Sequence, residues 1–222
     1  MGIPVLIFGK SGSGKTTSLR NFKDYGLISC IPKPLPFKGE AVKRYVIDDA
    51  AVICQMLLAS KTNKIVIDDA GYIMTNFYLR NKNEGNKFGV FDDVAKNFKE
   101  IVDTASSLPD DKIVYIIMHS ETTDSGETRP LTIGKMLNDK INLAGMFTIC
   151  LISEYADGKY MFKTQTRGLD CAKSPIGMFD FSIDNDLAII DAKIREYYGL
   201  KDKPEANKAE TKTETKNESE AK

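Results

Sequence analysis

The sequence predicts an α/β fold: a mostly parallel central sheet with helices on both faces, closed by a C-terminal β-hairpin and helix. Three observations carry that expectation. Short apolar runs rich in branched residues recur at 3–9, 64–68 and 112–118, as expected of strands buried on both faces. Helical patterns fall between the strands, the order that builds parallel pairs through crossovers. The first run also leads directly into "GKSGSGKTTS", Gly9 to Ser18, a glycine-rich turn placed where a strand should hand over to a helix.

Taken in order, "IPVLIFG" is the first strand, and a helix is expected to start inside the glycine loop and reach Lys23. "GLISCI" is a second strand, followed by "PKPLPFKGE", whose three prolines in nine residues require an extended loop. "KRYVID" is a third strand, and Asp49 is placed to cap the helix "AAVICQMLLAS". "KIVID" is another buried strand, and "YIMTNFYLRNKNEGNK" a helix running into a polar loop. Apolar residues at 91, 94, 95, 98, 101, 102 and 105 have helical spacing. "KIVYIIM" is a strong strand, and "HSETTDSGETRP" reads as a polar loop. "MFTICLI" and "YMFKTQT" flank Asp157-Gly158, a hairpin turn signal. "RGLDCAKSPIG" is a second long loop, and "NDLAIIDAKIREYYG" a final helix stopped by Gly199. The Lys- and Glu-rich stretch 201–222 has nothing apolar larger than Ala and is expected to be a disordered tail to a single domain over 1–200.

Composition narrows the function. The 31 Lys+Arg and 31 Asp+Glu cancel, so any nucleic-acid surface must be local. Cys30, Cys54, Cys150 and Cys171 lack CxxC spacing and partner histidines, which favours free thiols over a zinc site. No apolar run approaches the roughly 20 residues that cross a bilayer, and "IPVLIFG" lacks the basic flank of a signal peptide. The expected location is the cytoplasm, without membrane attachment.

Gly9, Gly14, Lys15 and Thr16 satisfy G-x-x-x-x-G-K-[ST] in full, with the strand before it and the helix after it that this loop requires. Ser11, Gly12, Ser13 and Gly14 are small enough for the backbone to wrap an anion and aim its N–H groups inward, helped by the helix dipole. The expected nucleotide-binding residues are Gly9, Lys10, Ser11, Gly12, Ser13, Gly14, Lys15, Thr16 and Thr17, on an exposed loop. Lys15 is expected to neutralise the β- and γ-phosphates of ATP, and Thr16 to offer its hydroxyl to Mg²⁺. Asp68, ending an apolar strand, is the second expected metal contact. Asp69 follows, either as the carboxylate that orients attacking water or as a cap for the helix near Gly71; Glu40 is its rival for water activation.

His119, the sole histidine, ends a buried strand at the same predicted edge, which favours a γ-phosphate sensor over a structural role. The long loops carry Arg129, Lys135 and Lys140 in one region, Arg167 and Lys173 in the other. These are solvated surface, contacts to a nucleic-acid backbone, or fingers to a neighbouring subunit's γ-phosphate, with Lys173 first and Arg167 second among candidate fingers.

Together, "GKSGSGKTTS", "KPLPFKG", "IVIDDAGYIM", "YIIMHSE", "TIGK" and "KSPIGMF" resemble phage-encoded P-loop nucleotide-binding proteins of the AAA/RecA-core type, similar to Sak-type single-strand annealing ATPases. The resemblance covers roughly residues 3–198. It implies a RecA-like core, ATP with Mg²⁺, oligomerisation, and work on single-stranded DNA beside phage recombination or replication proteins in the host cytoplasm. One departure stands out: RecA-core proteins carry a water-activating glutamate soon after the second strand, where this chain has "IPKPLPFKGE" and Glu40 comes late. Two other classes compete. A nucleoside or nucleotide kinase needs a lid with clustered arginines, and the six here (20, 44, 80, 129, 167, 195) are scattered. A non-hydrolysing switch that recruits a partner is the third; a GTPase form is disfavoured because no N-K-x-D motif is present.

Overall fold

The computed structural model describes residues 1–38, 43–83, 89–134, 137 and 140–200. Its centre is β1 (Ile3–Gly9), which pairs in parallel with β5 (Ile113–Thr122) on one side and β7 (Ile149–Ala156) on the other. Beyond β5 lie β4 (Lys64–Asp68), β2 (Gly26–Ser29) and β3 (Arg44–Val46), all parallel. Beyond β7 the sheet turns antiparallel through β8 (Lys159–Lys163) and β9 (Ser182–Asp184). The order is β3-β2-β4-β5-β1-β7-β8-β9, with β6 (Thr128–Pro130) paired to the far end of β5.

Strand alternation splits the core into two layers. Leu6, Phe8, Ile116 and Met118 face α1 (Ala50–Ala59), α2 (Gly71–Asn81) and α3 (Gly89–Ser107). Val5, Ile7, Tyr115 and Ile117 face a short helix at Thr16–Asn21 and α4 (Leu187–Tyr198). Because both faces are covered, the central strands show the unbroken apolar runs seen in the sequence. Asp49 caps α1 by accepting from the Val52 N–H at 3.0 Å, as expected. Gly199 ends α4 at φ 63. The Asp157-Gly158 turn has φ 51 and 78, both left-handed as its hairpin requires. Cys30, Cys54 and Cys150 are buried free thiols, and Cys171 is half-buried.

Two local expectations need correction. The helix after the glycine loop is a six-residue 3-10 helix, Thr16–Asn21, ending at extended Phe22. Two threonines and a serine open it, residues of modest helix propensity, and Leu19 and Phe22 anchor it to the core instead. The polar stretch after Met118 is a hairpin rather than a loop: β5 runs on to Thr122 and β6 returns, pairing Glu121 with Arg129. Both faces of that hairpin are partly exposed, so it carries no apolar alternation to read. β9 is three residues long, too short to leave a periodic signature. The tail over 201–222 lies outside the described residues. No described helix is long and apolar enough to cross a membrane.

Candidate nucleotide site

The carboxyl ends of β1, β4 and β5 meet at one edge, where ligands of open α/β sheets sit. Gly9 pairs with His119 in register, and Asp68 ends β4 one strand further on. The loop leaving β1 takes φ 78 at Gly12 and φ 94 at Gly14, conformations that favour glycine. Only its first part is exposed: Lys10, Ser11 and Gly12 face solvent, Thr17 is half-buried, and Ser13 to Thr16 are buried, against the expectation of a fully exposed loop. A 3-10 helix of six residues supplies little dipole, so anion binding falls to the loop's N–H groups and Lys15. The buried Ser13 hydroxyl has no partner among the described residues and is available to a phosphate oxygen.

Lys15 is 5% exposed and folds back onto its own loop. Its ammonium donates to the carbonyls of Gly9 at 2.9 Å and Lys10 at 2.8 Å, and to His119 Nδ1 at 3.4 Å. Burial pulls its pKa down to about 8, against the opposing pull of Asp69 and Asp68. The Thr16 hydroxyl lies 3.1 Å from each carboxylate oxygen of Asp68. Asp68 is 1% exposed, and burial, then the charge of Asp69, pushes its carboxyl up to about 6. Among the described residues no group of three or more His, Cys, Asp or Glu could hold a metal by itself. Thr16 and Asp68 do offer the hard oxygens Mg²⁺ takes, with the other positions left to phosphate and water. A buried carboxylate held above its ordinary pKa is the environment a cation would relieve, so the pair fits the metal.

Asp69 adopts φ 58 and is 2% exposed. Its side chain does not cap α2, whose first turn carries no side-chain cap bond. Instead Oδ2 contacts Lys33 Nζ, and Oδ1 faces His119 Nε2 at 3.5 Å. Since an ammonium cannot accept, His119 Nδ1 accepts from Lys15 and the ring proton sits on Nε2, toward Asp69. Burial, reinforced by Lys15, lowers the His119 pKa and keeps the ring neutral. Lys15, Asp68, Asp69 and His119 therefore form one cluster, as their positions after buried strands predicted.

The matched family model is the AAA domain, over residues 1–176. The chain belongs to the AAA domain family. No curated protein matches it by sequence. Among solved structures it is similar to the Legionella pneumophila ATPase DotB at 12% identity and a TM-score of 0.35, over 72% of this chain and 45% of DotB. The chain thus spans less than half of that protein.

The rest of this AAA domain braces the loop from behind. Ser153 Oγ on β7 donates to the Ser13 carbonyl at 2.7 Å, and Asn185 Nδ2 donates to Ser153 Oγ at 3.0 Å. Tyr160 on β8 lies against Gly14, where an added Cβ would meet its ring carbon at 2.7 Å. A cleft of ≈ 520 Å³ opens beside the loop, between Lys10–Ser13, Ser120, Glu154 and the Lys163–Asp170 ion pair.

The expected fingers stand apart from the cluster. Lys173 bridges Cys150 through its backbone, and Arg167 stacks on Phe181 with its guanidinium 3.6 Å from the ring centroid. No hydrogen bond or ion pair joins either to Lys15, Asp68, Asp69 or His119. Arg129 pairs with Glu121 and Lys140 with Asp92. Glu40 and Lys135 lie outside the described residues. Sequence reading missed Lys33, Ser153, Tyr160 and Asn185. Lys33 stood in the stretch noted for lacking an early glutamate, and its position between two prolines was the available signal. The other three had none, since β7, β8 and the turn after β9 bring them to the loop only in the folded sheet.

Proposed function

We propose that this AAA domain is a Mg²⁺-dependent ATPase whose turnover is linked to single-stranded DNA. The observation that carries the ATPase reading is the Thr16–Asp68 pair set beside Lys15 and Asp69. Thr16 and Asp68 would hold Mg²⁺, which supplies charge neutralisation at the phosphates. Lys15 leaves its loop carbonyls for the β- and γ-phosphates. Asp69 accepts the proton of the attacking water, whose oxygen bonds to the γ-phosphorus. The bond from that phosphorus to the β–γ bridging oxygen breaks, and ADP departs with its electron pair. His119, held neutral with its Nε2 proton toward Asp69, orients that carboxylate and reports on the γ-phosphate.

The DNA half rests on the sequence resemblance, which also supports oligomerisation and a role in phage recombination or replication. Exposed Arg167, stacked on the half-buried Phe181 ring, has the make-up of a base-stacking contact, and Arg167 or Lys173 would act across a subunit boundary. One observation favours a second reading, phosphoryl transfer to a small acceptor: the ≈ 520 Å³ cleft abuts the loop and has room for one.

The test is phosphate release by the wild type and Lys15→Ala, with and without single-stranded oligonucleotide at low salt. Wild-type turnover should rise with DNA, the stimulation should fade with added salt, and Lys15→Ala should be inactive. Phosphate release without DNA stimulation or a gel shift would remove the DNA half. ATP consumption that depends on added nucleoside monophosphate would favour the kinase, and tight ATP binding without any turnover the switch.

A further inference from the structure

We infer that Lys33 is the cation that recognises the terminal phosphate of the bound nucleotide, supplied from within the same chain; this rests on the ATPase reading above. Three observations converge on it. First, the loop after β2 presents Lys33 in a fixed way. Pro34 follows it and confines its backbone to extended conformations, and Pro32 fixes φ in the residue before it. The Arg44 guanidinium, on β3, donates to the Lys33 carbonyl and ties the loop to the sheet edge. Little backbone freedom is left to lose when the side chain engages a ligand.

Second, the side chain reaches the cluster while staying partly open to solvent. Its ammonium rests on Asp69 Oδ2, its side chain is 41% exposed, and the carboxylate it touches is 3% exposed. The Lys33 charge acts on Lys15, Asp68 and His119 as well. Four other cations are committed elsewhere: Arg129 to Glu121, Lys140 to Asp92, Lys163 to Asp170 and Arg167 to the Phe181 ring.

Third, the charges balance only in the free site. Two ammonium groups, Lys15 and Lys33, offset two carboxylates, Asp68 and Asp69, while His119 is neutral. A triphosphate brings three phosphoryl groups to that balance. Lys15 serves the loop side, and Asp68 is reserved with Thr16 for the metal. Lys33, flexible beyond its pinned backbone, turns from Asp69 to the γ-phosphate. That move also frees Asp69 Oδ2, the atom needed to accept a proton from water. A diphosphate lacks the terminal group and leaves Lys33 on Asp69. Lys33 therefore distinguishes ATP from ADP.

The experiment titrates fluorescent ATP and ADP analogues, with Mg²⁺, into the full chain and its Lys33→Ala and Lys33→Arg variants. Lys33→Ala should lose about 10- to 100-fold in ATP affinity, the worth of one charged hydrogen bond. Its ADP affinity should change less than about twofold, and Lys33→Arg should recover part of the ATP preference. Equal losses for ATP and ADP would mean that Lys33 only holds the loop, and unchanged ATP affinity would mean that it does not reach the phosphate; either overturns the assignment while leaving the ATPase reading intact. A wild type that binds neither nucleotide overturns both.

Discussion

Replacing Asp68 by Asn should stabilise the nucleotide-free protein and at the same time abolish Mg²⁺-dependent nucleotide binding. The carboxyl of Asp68 is 1% exposed and is pushed from 3.8 up to about 6 by burial and by Asp69. A raised carboxyl pKa means that the charged form opposes folding, so the cost is present in full above pH 6 and disappears as pH falls toward 3.8. About two units at 1.36 kcal/mol each give about 3 kcal/mol near pH 7.5. Asn keeps the size and one acceptor for the Thr16 hydroxyl but loses the second, which returns about 1 kcal/mol. The net gain is about 1–2 kcal/mol, or a rise of roughly 3–6 °C in Tm for a chain of this length. Thermal melts in EDTA at pH 7.5 and pH 5 measure it: the electrostatic cost falls by about half at pH 5, where wild-type Asp68 is largely protonated, so the net gap should shrink to under about 1 kcal/mol. With excess Mg²⁺ and ATP the order should reverse: at about 100 times Kd the wild type gains about 2.7 kcal/mol and the variant none. A variant less stable than wild type at pH 7.5, or a gap indifferent to pH, would refute the view that Asp68 is a carboxylate held at a cost for a cation.

Two glycines should separate by mechanism. Gly14→Ala meets Tyr160 at 2.7 Å and Asn185 at 3.2 Å in a left-handed conformation, and should lose more than about tenfold in ATP affinity. Gly12→Ala has nothing within 4 Å, so only backbone strain of about 1 kcal/mol remains, visible in melting more than in titration. The pH profile of kcat/KM should be bell-shaped, rising as Asp68 ionises through about 6 and falling as Lys15 loses its proton through about 8; a flat profile from pH 5 to 9 would contradict the roles given to both.

Much of the fold was legible because its signals are local. β1, β4 and β5 are buried on both faces, so unbroken apolar runs marked them, and the capping bond of Asp49 and the left-handed turn at Asp157-Gly158 follow from single residues. Elements outside the core were harder. The extension of β5 into a polar hairpin and the three-residue β9 are held by backbone pairing, which residue type hardly constrains. The 3-10 geometry after the loop depends on how Leu19 and Phe22 seat in the core.

The site divides along the same line. The candidates at residues 9–17 could be named from spacing, because a backbone cradle, an ammonium and a hydroxyl for a metal must sit at fixed offsets from one strand end, and Asp68 from its place at the end of an apolar strand. The choice between cap and cluster for Asp69 could not, since it turns on where the carboxylate points. Only the tertiary arrangement decided that Asp69 faces Lys33 and His119, that Lys15 is buried against its own loop, and that Ser153, Tyr160 and Asn185 stand behind it. Contacts between residues far apart in sequence are set by the packing of the sheet, and no local pattern in the chain encodes them.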